Sequence, residues 1–94
     1  MISKIPIEIS KVGKDSINKE ILRAALVAEL DAINLYEQMA DMTENEEVRR
    51  VLLDVAKEEK THIGEFQALL LRMDEQQVEE LEAGREEVEE ELQE

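Results

Sequence analysis

The apolar residues of the chain recur at intervals of three and four through most of its length. A first series runs from about Asn18 to Asp41 and a second from about Glu44 to Arg72. This spacing is the period of a helix with one buried face. The first series contains Leu22, Leu26, Ile33, Tyr36 and Ala40; the second contains Val48, Leu52, Val55, Phe66, Leu69 and Met73. The pattern predicts two long amphipathic helices.

Polar residues interrupt the pattern between these helices and again after the second. Thr43 and Glu46 have the spacing of a capping box, which predicts that the second helix starts there after a short turn. Asp74 and Gln77 predict the cap of a third, weaker helix, and Gly84 is expected to break or fray it. The apolar residues of this third helix are Val78, Leu81, Val88 and Leu92.

The start of the chain has a different period. Ile5, Ile7 and Ile9 alternate with other residues, which is typical of an extended segment and not of a helix. We therefore expect an N-terminal arm over residues 1–17, a helical hairpin over 18–73 and an acidic C-terminal helix or tail over 74–94. The predicted fold class is all-α.

A short turn makes the two long helices antiparallel, so residues equidistant from the turn lie at the same height. The stripe positions of the first helix are 22, 26, 29, 33, 36 and 40, and those of the second are 66, 62, 59, 55, 52 and 48. Each pair is symmetric about residue 44. The pattern predicts the register of the hairpin.

Three of these stripe positions hold polar residues: Glu29, Glu59 and His62. Glu29 and Glu59 fall in one layer, and His62 is one turn from Glu59 on the same face. Glu-x-x-His on a helix, with a Glu from a further helix, is how carboxylate-rich bundles hold two metal ions. Carboxylates neutralise and bridge the cations, while an imidazole supplies a neutral nitrogen ligand. We predict that these three residues are metal ligands.

Each of these residues also has an interpretation without metal. A Glu on a helix is commonly solvated, a single His is commonly a packed or surface residue, and a polar residue in a seam can fix register alone. An unpaired core carboxylate is costly, however, and two in one layer repel each other unless a cation lies between them. Tyr36 is either a core aromatic or a hydrogen-bond partner of a site carboxylate. Asp31 or Glu65 is a candidate for an outer site through which metal would arrive.

Three ligands are half of what a carboxylate-bridged di-metal site in a four-helix bundle uses. Two helices also leave much of their apolar stripes exposed to water. A two-fold homodimer supplies four helices and twice the ligands, so we expect a four-helix bundle formed by dimerisation, with one di-metal site per dimer.

Composition narrows the possible partners. The 94 residues contain 25 acidic and 11 basic side chains, one Tyr, one Phe, and neither Trp nor Cys. Residues 74–94 alone contain 11 acids and one base, Arg85. The scarcity of aromatics and the negative charge argue against a nucleic-acid partner and a membrane segment. The start of the chain lacks the uninterrupted apolar core of a signal peptide, so we expect a cytoplasmic protein. Because the chain has no Cys, we also expect its metal to have no thiolate ligand.

The residues around Glu29 and Glu59 resemble one known family. Residues 28–37, AELDAINLYE, followed by Glu58-Glu59-Lys60-Thr61-His62, are similar to the encapsulated ferritin-like proteins of the ferritin and rubrerythrin superfamily. The resemblance covers roughly residues 18–94. The chain departs from the family at two positions beside the site: Ala28 stands where other members have Glu, and Leu35 stands where some have Trp. Asp31 matches a residue of the family's outer metal site.

The resemblance implies a function. It implies a ferroxidase with a di-iron centre shared between two chains, five such dimers in a ring-like decamer, and iron storage inside an encapsulin nanocompartment. The family includes forms fused directly to the shell protein, so the chain is also a candidate fragment of such a fusion.

Two other functions stay open from the sequence. One is a rubrerythrin-like peroxidase, against which the missing Cys argues, since a built-in rubredoxin electron donor needs cysteines. The other is a non-enzymatic helical dimerisation module in which the polar residues only set register. The ligand types would also accept Mn or Zn in place of Fe.

Overall fold

A computed structural model describes residues 16–93, and all regular structure within them is helical. The helices are α1 (Ile17–Met42), α2 (Glu46–Met73) and α3 (Glu75–Glu91). Most contacts between helices are those of α1 with α2, and α3 makes few contacts with α2. The prediction of an all-α chain with a hairpin and a C-terminal helix is confirmed. The predicted extended segment falls on residues that lie outside the described part of the chain.

The turn of the hairpin is short and held by side chains. Asn45 caps α2, since its side-chain oxygen accepts a hydrogen bond of 3.0 Å from the backbone N–H of Val48. Thr43 instead accepts, through Oγ1, a bond of 3.1 Å from the N–H of Asn45. The predicted capping box of Thr43 and Glu46 is therefore wrong, because α2 starts at Glu46 and Asn45 is its N-cap.

Arg49 ties the first turn of α2 to the end of α1. Its Nε donates to the carbonyl oxygen of Ala40 at 3.1 Å, and its Nη2 donates to that of Thr43 at 2.6 Å. These carbonyls belong to the end of a helix, where intrahelical partners run out. Glu46 holds the third guanidinium nitrogen at 2.6 Å. One side chain thus caps α1 and fixes the turn.

The core of the described chain is small and lies between α1 and α2. Its buried apolar residues are Leu22, Ala32, Ile33, Ala40, Ala56 and Leu70. Three of the four in α1 were expected on the buried stripe. In α2 the buried line is displaced by one residue: Ala56 and Leu70 are buried, whereas Val48 and Leu69 are each 45% exposed. Small alanines let the two helices approach closely there.

Asp74 fixes the corner between α2 and α3. Its Oδ1 accepts the backbone N–H of Gln77 at 3.1 Å, which confirms the predicted cap, and its Oδ2 pairs with Arg23 of α1 at 2.9 Å. The hydrogen bond from Gln77, and then Arg23, hold the pKa of this carboxyl below its usual value. The start of α3 is therefore tied to the start of α1.

The third helix continues through Gly84 to Glu91, so the predicted break there is wrong. A glycine inside a helix costs about 1 kcal/mol relative to alanine, which one turn of neighbours can offset. Arg85 supplies such support, since it pairs with Glu82 and, at 2.6 Å, with Glu89 on the same helix. None of the residues of α3 is buried.

None of the helices within residues 16–93 combines the length and the apolarity that crossing a membrane requires.

Candidate metal centre

The two long helices bring the three predicted ligands together near the middle of the hairpin. Glu29 lies on the side of α1 that faces α2, and Glu59 and His62 lie one turn apart on α2. One ligand atom from each of the three lies within 4.8 Å of the other two. Within residues 16–93 this is the group of acids and imidazole whose spacing suits a metal ion.

The distances show how closely the groups converge. His62 Nδ1 lies 3.4 Å from Glu29 Oε2 and 3.7 Å from Glu59 Oε2. The imidazole therefore stands between two carboxylates that come from different helices. This is the donor set of a first-row divalent cation that accepts both oxygen and nitrogen ligands.

Burial makes the cluster chemically unusual. The Glu29 and Glu59 side chains are only 19% and 18% exposed, whereas His62 is 43% exposed. Glu29 Oε2 is buried from solvent and, at 3.4 Å from His62, has no partner in hydrogen-bond geometry. A buried carboxylate oxygen left without a partner is costly. A cation at this point would remove that cost, so the residues present fit a metal.

The neighbouring residues are arranged differently from the ligands. Asp31 is half-buried and is not a member of the convergent group, and Tyr36 is half-buried two turns along α1 from Glu29. Glu37, which is off the apolar stripe, pairs with Lys60 at 3.1 Å. Sequence reasoning did not identify this pair, because residues 37 and 60 are not equidistant from the turn and only long side chains connect them.

An exposed apolar line runs along α2 through His62. Val48, Val55, His62 and Leu69 recur every seven residues, which is about two helical turns, so they lie on one side of the helix. Val48 and Leu69 are exposed at the two ends of this line, and His62 is exposed in its middle. We call these four residues the seam line. The imidazole ring of the candidate site thus lies beside an uncovered apolar surface.

Known proteins of one family are similar to this chain in sequence and fold. The family described as Rubrerythrin matches residues 20–94. A solved structure, the encapsulated ferritin domain from Pyrococcus furiosus, is similar with a TM-score of 0.81 and 57% sequence identity. The match covers 96% of this chain and 92% of that one. The likeness therefore extends over nearly the whole of both chains.

Two relatives match this chain over only part of their own length. A ferritin-like–encapsulin shell fusion protein of Pyrococcus furiosus is 68% identical over 71 residues, which is 76% of this chain and 21% of the relative. The encapsulin nanocompartment cargo protein EncC of Myxococcus xanthus is 43% identical over 56 residues, 60% of this chain and 43% of the relative. The matched segment thus makes up less than half of the length of either relative.

Proposed function

The chain belongs to the rubrerythrin family of ferritin-like proteins, and from that premise we propose that it is a ferroxidase that oxidises Fe(II) to Fe(III) at a di-iron site. The observation that carries this proposal is the convergence of Glu29, Glu59 and His62, with a buried carboxylate oxygen that has no hydrogen-bond partner. A cation bound among these groups would stabilise the buried carboxylate oxygen. We propose that Fe(II), the substrate, is that cation.

Each ligand has a distinct part. Glu29 and Glu59 supply the negative charge that attracts two cations and lets them lie close together. His62 supplies a neutral nitrogen and, being the most exposed of the three, faces the side from which a second chain would approach. When bound, a pair of iron ions supplies two electrons to an oxidant such as dioxygen or peroxide.

The ligand count supports a site shared between two chains. Three side chains are too few to hold two metal ions, because such sites in helical bundles use four carboxylates and two imidazoles. A second copy related by a two-fold axis adds the same three. The seam line supports the same arrangement, since pairing two copies along it would cover Val48 and Leu69 and bring both His62 side chains to the axis. The proposed dimer is a four-helix bundle with one di-iron site.

The larger assembly and its location rest on the relatives. One similar protein is named as a fusion to an encapsulin shell and another as an encapsulin cargo protein. We propose that this chain likewise works in the cytoplasm inside an encapsulin nanocompartment, as dimers gathered in a ring-like decamer. An open ring encloses no volume, so the shell would confine the mineral.

Tyr36 and Asp31 are proposed to assist the site without holding its metals. Tyr36 lies on the same face of α1 as Glu29, two turns along the helix, and carries a hydroxyl on that face. Asp31 lies on α1 two residues from Glu29 and is a candidate for an outer site that passes Fe(II) inward. The other acidic residues, chiefly those of 74–94, raise the cation concentration near the protein. Salt screens this attraction beyond ~8–10 Å.

The experiment adds excess Fe(II) to the purified protein in air, with and without the encapsulin shell protein. We expect rapid oxidation in both cases, followed by precipitation without the shell and soluble iron cores with it. Oxidation no faster than in buffer would contradict a ferroxidase and leave the dimerisation module. Faster turnover with peroxide than with dioxygen, at equal iron, would favour a peroxidase instead.

A further inference from the structure

An ion pair crosses the hairpin beside the candidate metal centre. Lys60 Nζ of α2 lies 3.1 Å from Glu37 Oε2 of α1. Lys60 directly follows Glu59 in sequence and stands two residues before His62, so it is the basic residue nearest in sequence to the two candidate ligands of α2. The chain therefore carries a positive charge next to a site whose proposed ligand is itself a cation.

The stability of the fold does not account for this ion pair. The side chains of Lys60 and Glu37 are 60% and 46% exposed. Ion pairs with that much exposure contribute little to folding, because water and salt screen them and both long side chains lose rotational freedom. The position of the pair, beside the candidate ligands, is its more informative feature.

The helix geometry explains which way the Lys60 side chain leans. In a helix, the bonds from Cα to Cβ tilt toward the N-terminus. Because α1 ends and α2 begins at the turn, Lys60 leans toward the turn and Glu37 leans away from it. Glu37 is the nearer of the two to the turn, so the two side chains converge. The ion pair thus draws the ammonium along the hairpin toward the turn.

The backbone of Lys60, by contrast, is level with Glu29. Glu29 lies thirteen residues before the last residue of α1, and Lys60 lies fourteen residues after the first residue of α2. Ala56, one turn before Lys60 on the same side of α2, is buried, so position 60 borders the interface with α1. A lysine carries its charge on a flexible four-carbon stem. An ammonium released by Glu37 therefore has Glu29 as a carboxylate at its own level.

The oxygen that would attract this ammonium is also a candidate metal ligand. Glu29 Oε2 is buried and has no hydrogen-bond partner. A nearby cation of either kind stabilises the charged form of such a carboxylate. Lys60 and a metal ion would then compete for the same oxygen. A hydrogen bond between charged groups changes an equilibrium constant by about tenfold or more, so this competition would be measurable.

We propose that Glu37 is a positioning residue for the metal centre, which holds the ammonium of Lys60 away from Glu29 and so keeps that carboxylate available to the metal. The proposal rests on the proposed function for the identity of the site as a metal centre. Glu37 acts through Lys60 and makes no contact with the metal. Its removal should therefore matter only when Lys60 is present.

The test measures Co(II) binding to the full-length chain by isothermal titration calorimetry. Co(II) accepts the same oxygen and nitrogen ligands as Fe(II). Glu37→Ala should weaken binding by about tenfold or more, because the released ammonium occupies Glu29. Lys60→Met should bind Co(II) at least as tightly as wild type. The double variant should regain wild-type affinity, since the competing ammonium is gone.

Two controls separate this effect from a change in net charge. Glu58→Ala removes a carboxylate next to Glu59 and should weaken binding far less than Glu37→Ala does. Lys57→Met, added to Glu37→Ala, removes an exposed lysine one turn from Lys60 and should not restore affinity. Equal loss in Glu58→Ala, or restoration by Lys57→Met, would mean that net charge alone matters and would overturn the proposal.

A purely structural ion pair gives a different pattern. If the pair served only to hold α1 against α2, Lys60→Met would weaken Co(II) binding as much as Glu37→Ala. The double variant would then bind no better than either single variant. That pattern overturns the proposal, whereas recovery in the double variant supports it, because removing both partners cannot rebuild a structural contact.

A crystal structure of the metal-free Glu37→Ala variant tests the same step without a metal. Lys60 Nζ should lie within about 4 Å of a carboxylate oxygen of Glu29 or Glu59. An ammonium that stays turned toward position 37 or toward solvent overturns the proposal. A wild-type protein that binds neither Co(II) nor Fe(II) counts against the proposed function, and the crystal structure still decides the role of Glu37. Wild-type binding that Glu37→Ala leaves unchanged overturns the role of Glu37 and leaves the proposed function standing.

Discussion

His62 Nδ1 of α2 lies 3.4 Å from Glu29 Oε2 of α1, across the interface between the two helices of the hairpin. A metal bound between these atoms would link α1 to α2 as well as occupy a site. Metal binding is therefore expected to stabilise the hairpin by mass action, in proportion to the logarithm of the free metal concentration.

Removing a ligand should abolish metal binding without unfolding the chain. In a two-fold dimer, Glu29→Ala or His62→Ala subtracts two ligands from one site, so we expect loss of bound Fe(II) and most oxidation at unchanged helix content. Iron analysis and circular dichroism measure the two effects. Glu58→Ala, an exposed neighbour of Glu59, is the control and should bind iron normally. Unchanged iron stoichiometry in the ligand variants would falsify the assignment.

Glu29 should be destabilising when no metal is present. Its Oε2 is buried without a hydrogen-bond partner, so Glu29→Met should stabilise the metal-free protein by about 1–3 kcal/mol. Urea unfolding in the presence of a chelator measures the change. The same substitution at exposed Glu58 should change the free energy of unfolding by less than about 0.5 kcal/mol. A metal-free Glu29→Met protein less stable than wild type would show that the carboxylate is satisfied in some other way.

A charge on the seam line should separate the proposed dimer. Leu69→Glu places a carboxylate at an exposed apolar position two turns from His62, and we expect monomers that do not oxidise iron. Leu53→Glu is the matched control, because Leu53 is equally exposed, at 45%, but lies on the other side of α2. It should keep the dimer and its iron. An active Leu69→Glu monomer would disprove the shared site.

Arg49 should contribute strongly to the stability of the turn. Its hydrogen bonds to the carbonyls of Ala40 and Thr43 are lost in Arg49→Ala, at an expected cost of about 1–3 kcal/mol. Arg50→Ala, one residue away and exposed, should cost little at low protein concentration. Denaturant unfolding compares the two. Equal stability of both variants would mean that water replaces the Arg49 contacts without cost.

The corner at Asp74 should weaken in acid. The Asp74 pKa is below its ordinary value of 3.8 in the folded chain, chiefly because Gln77 donates a backbone hydrogen bond to it. Its contribution to stability is therefore present above pH 3.8 and is lost as pH falls through the lower, folded-state pKa. Asp74→Asn should lack this part of the acid dependence. Unfolding curves of both proteins at stepwise lower pH test this, and parallel curves would contradict it.

The sequence by itself determined the helices and their approximate register. Apolar residues at three- and four-residue spacing define a helix face, and a turn of few residues admits only an antiparallel neighbour. These local rules place Glu29, Glu59 and His62 together, as the structure does. That they bind metal stays a prediction, as do the proposed domain limits. The cap at Asp74 was also readable, because it depends on residues three apart in the chain.

Only the tertiary structure decided which residues of each apolar stripe pack against the other helix of the same hairpin. The stripe of α2 is wider than one line of residues, and both Val55 and Ala56 fit its period. The structure buries Ala56 and leaves Val48 and Leu69 exposed, because close approach of two helices favours small side chains where they cross. In α1, Ile33 is consequently buried within the chain and Leu26 lines the cleft toward α3, so neither marks the surface offered to a second copy. Periodicity specifies a face, whereas the packing of particular volumes selects the line within it.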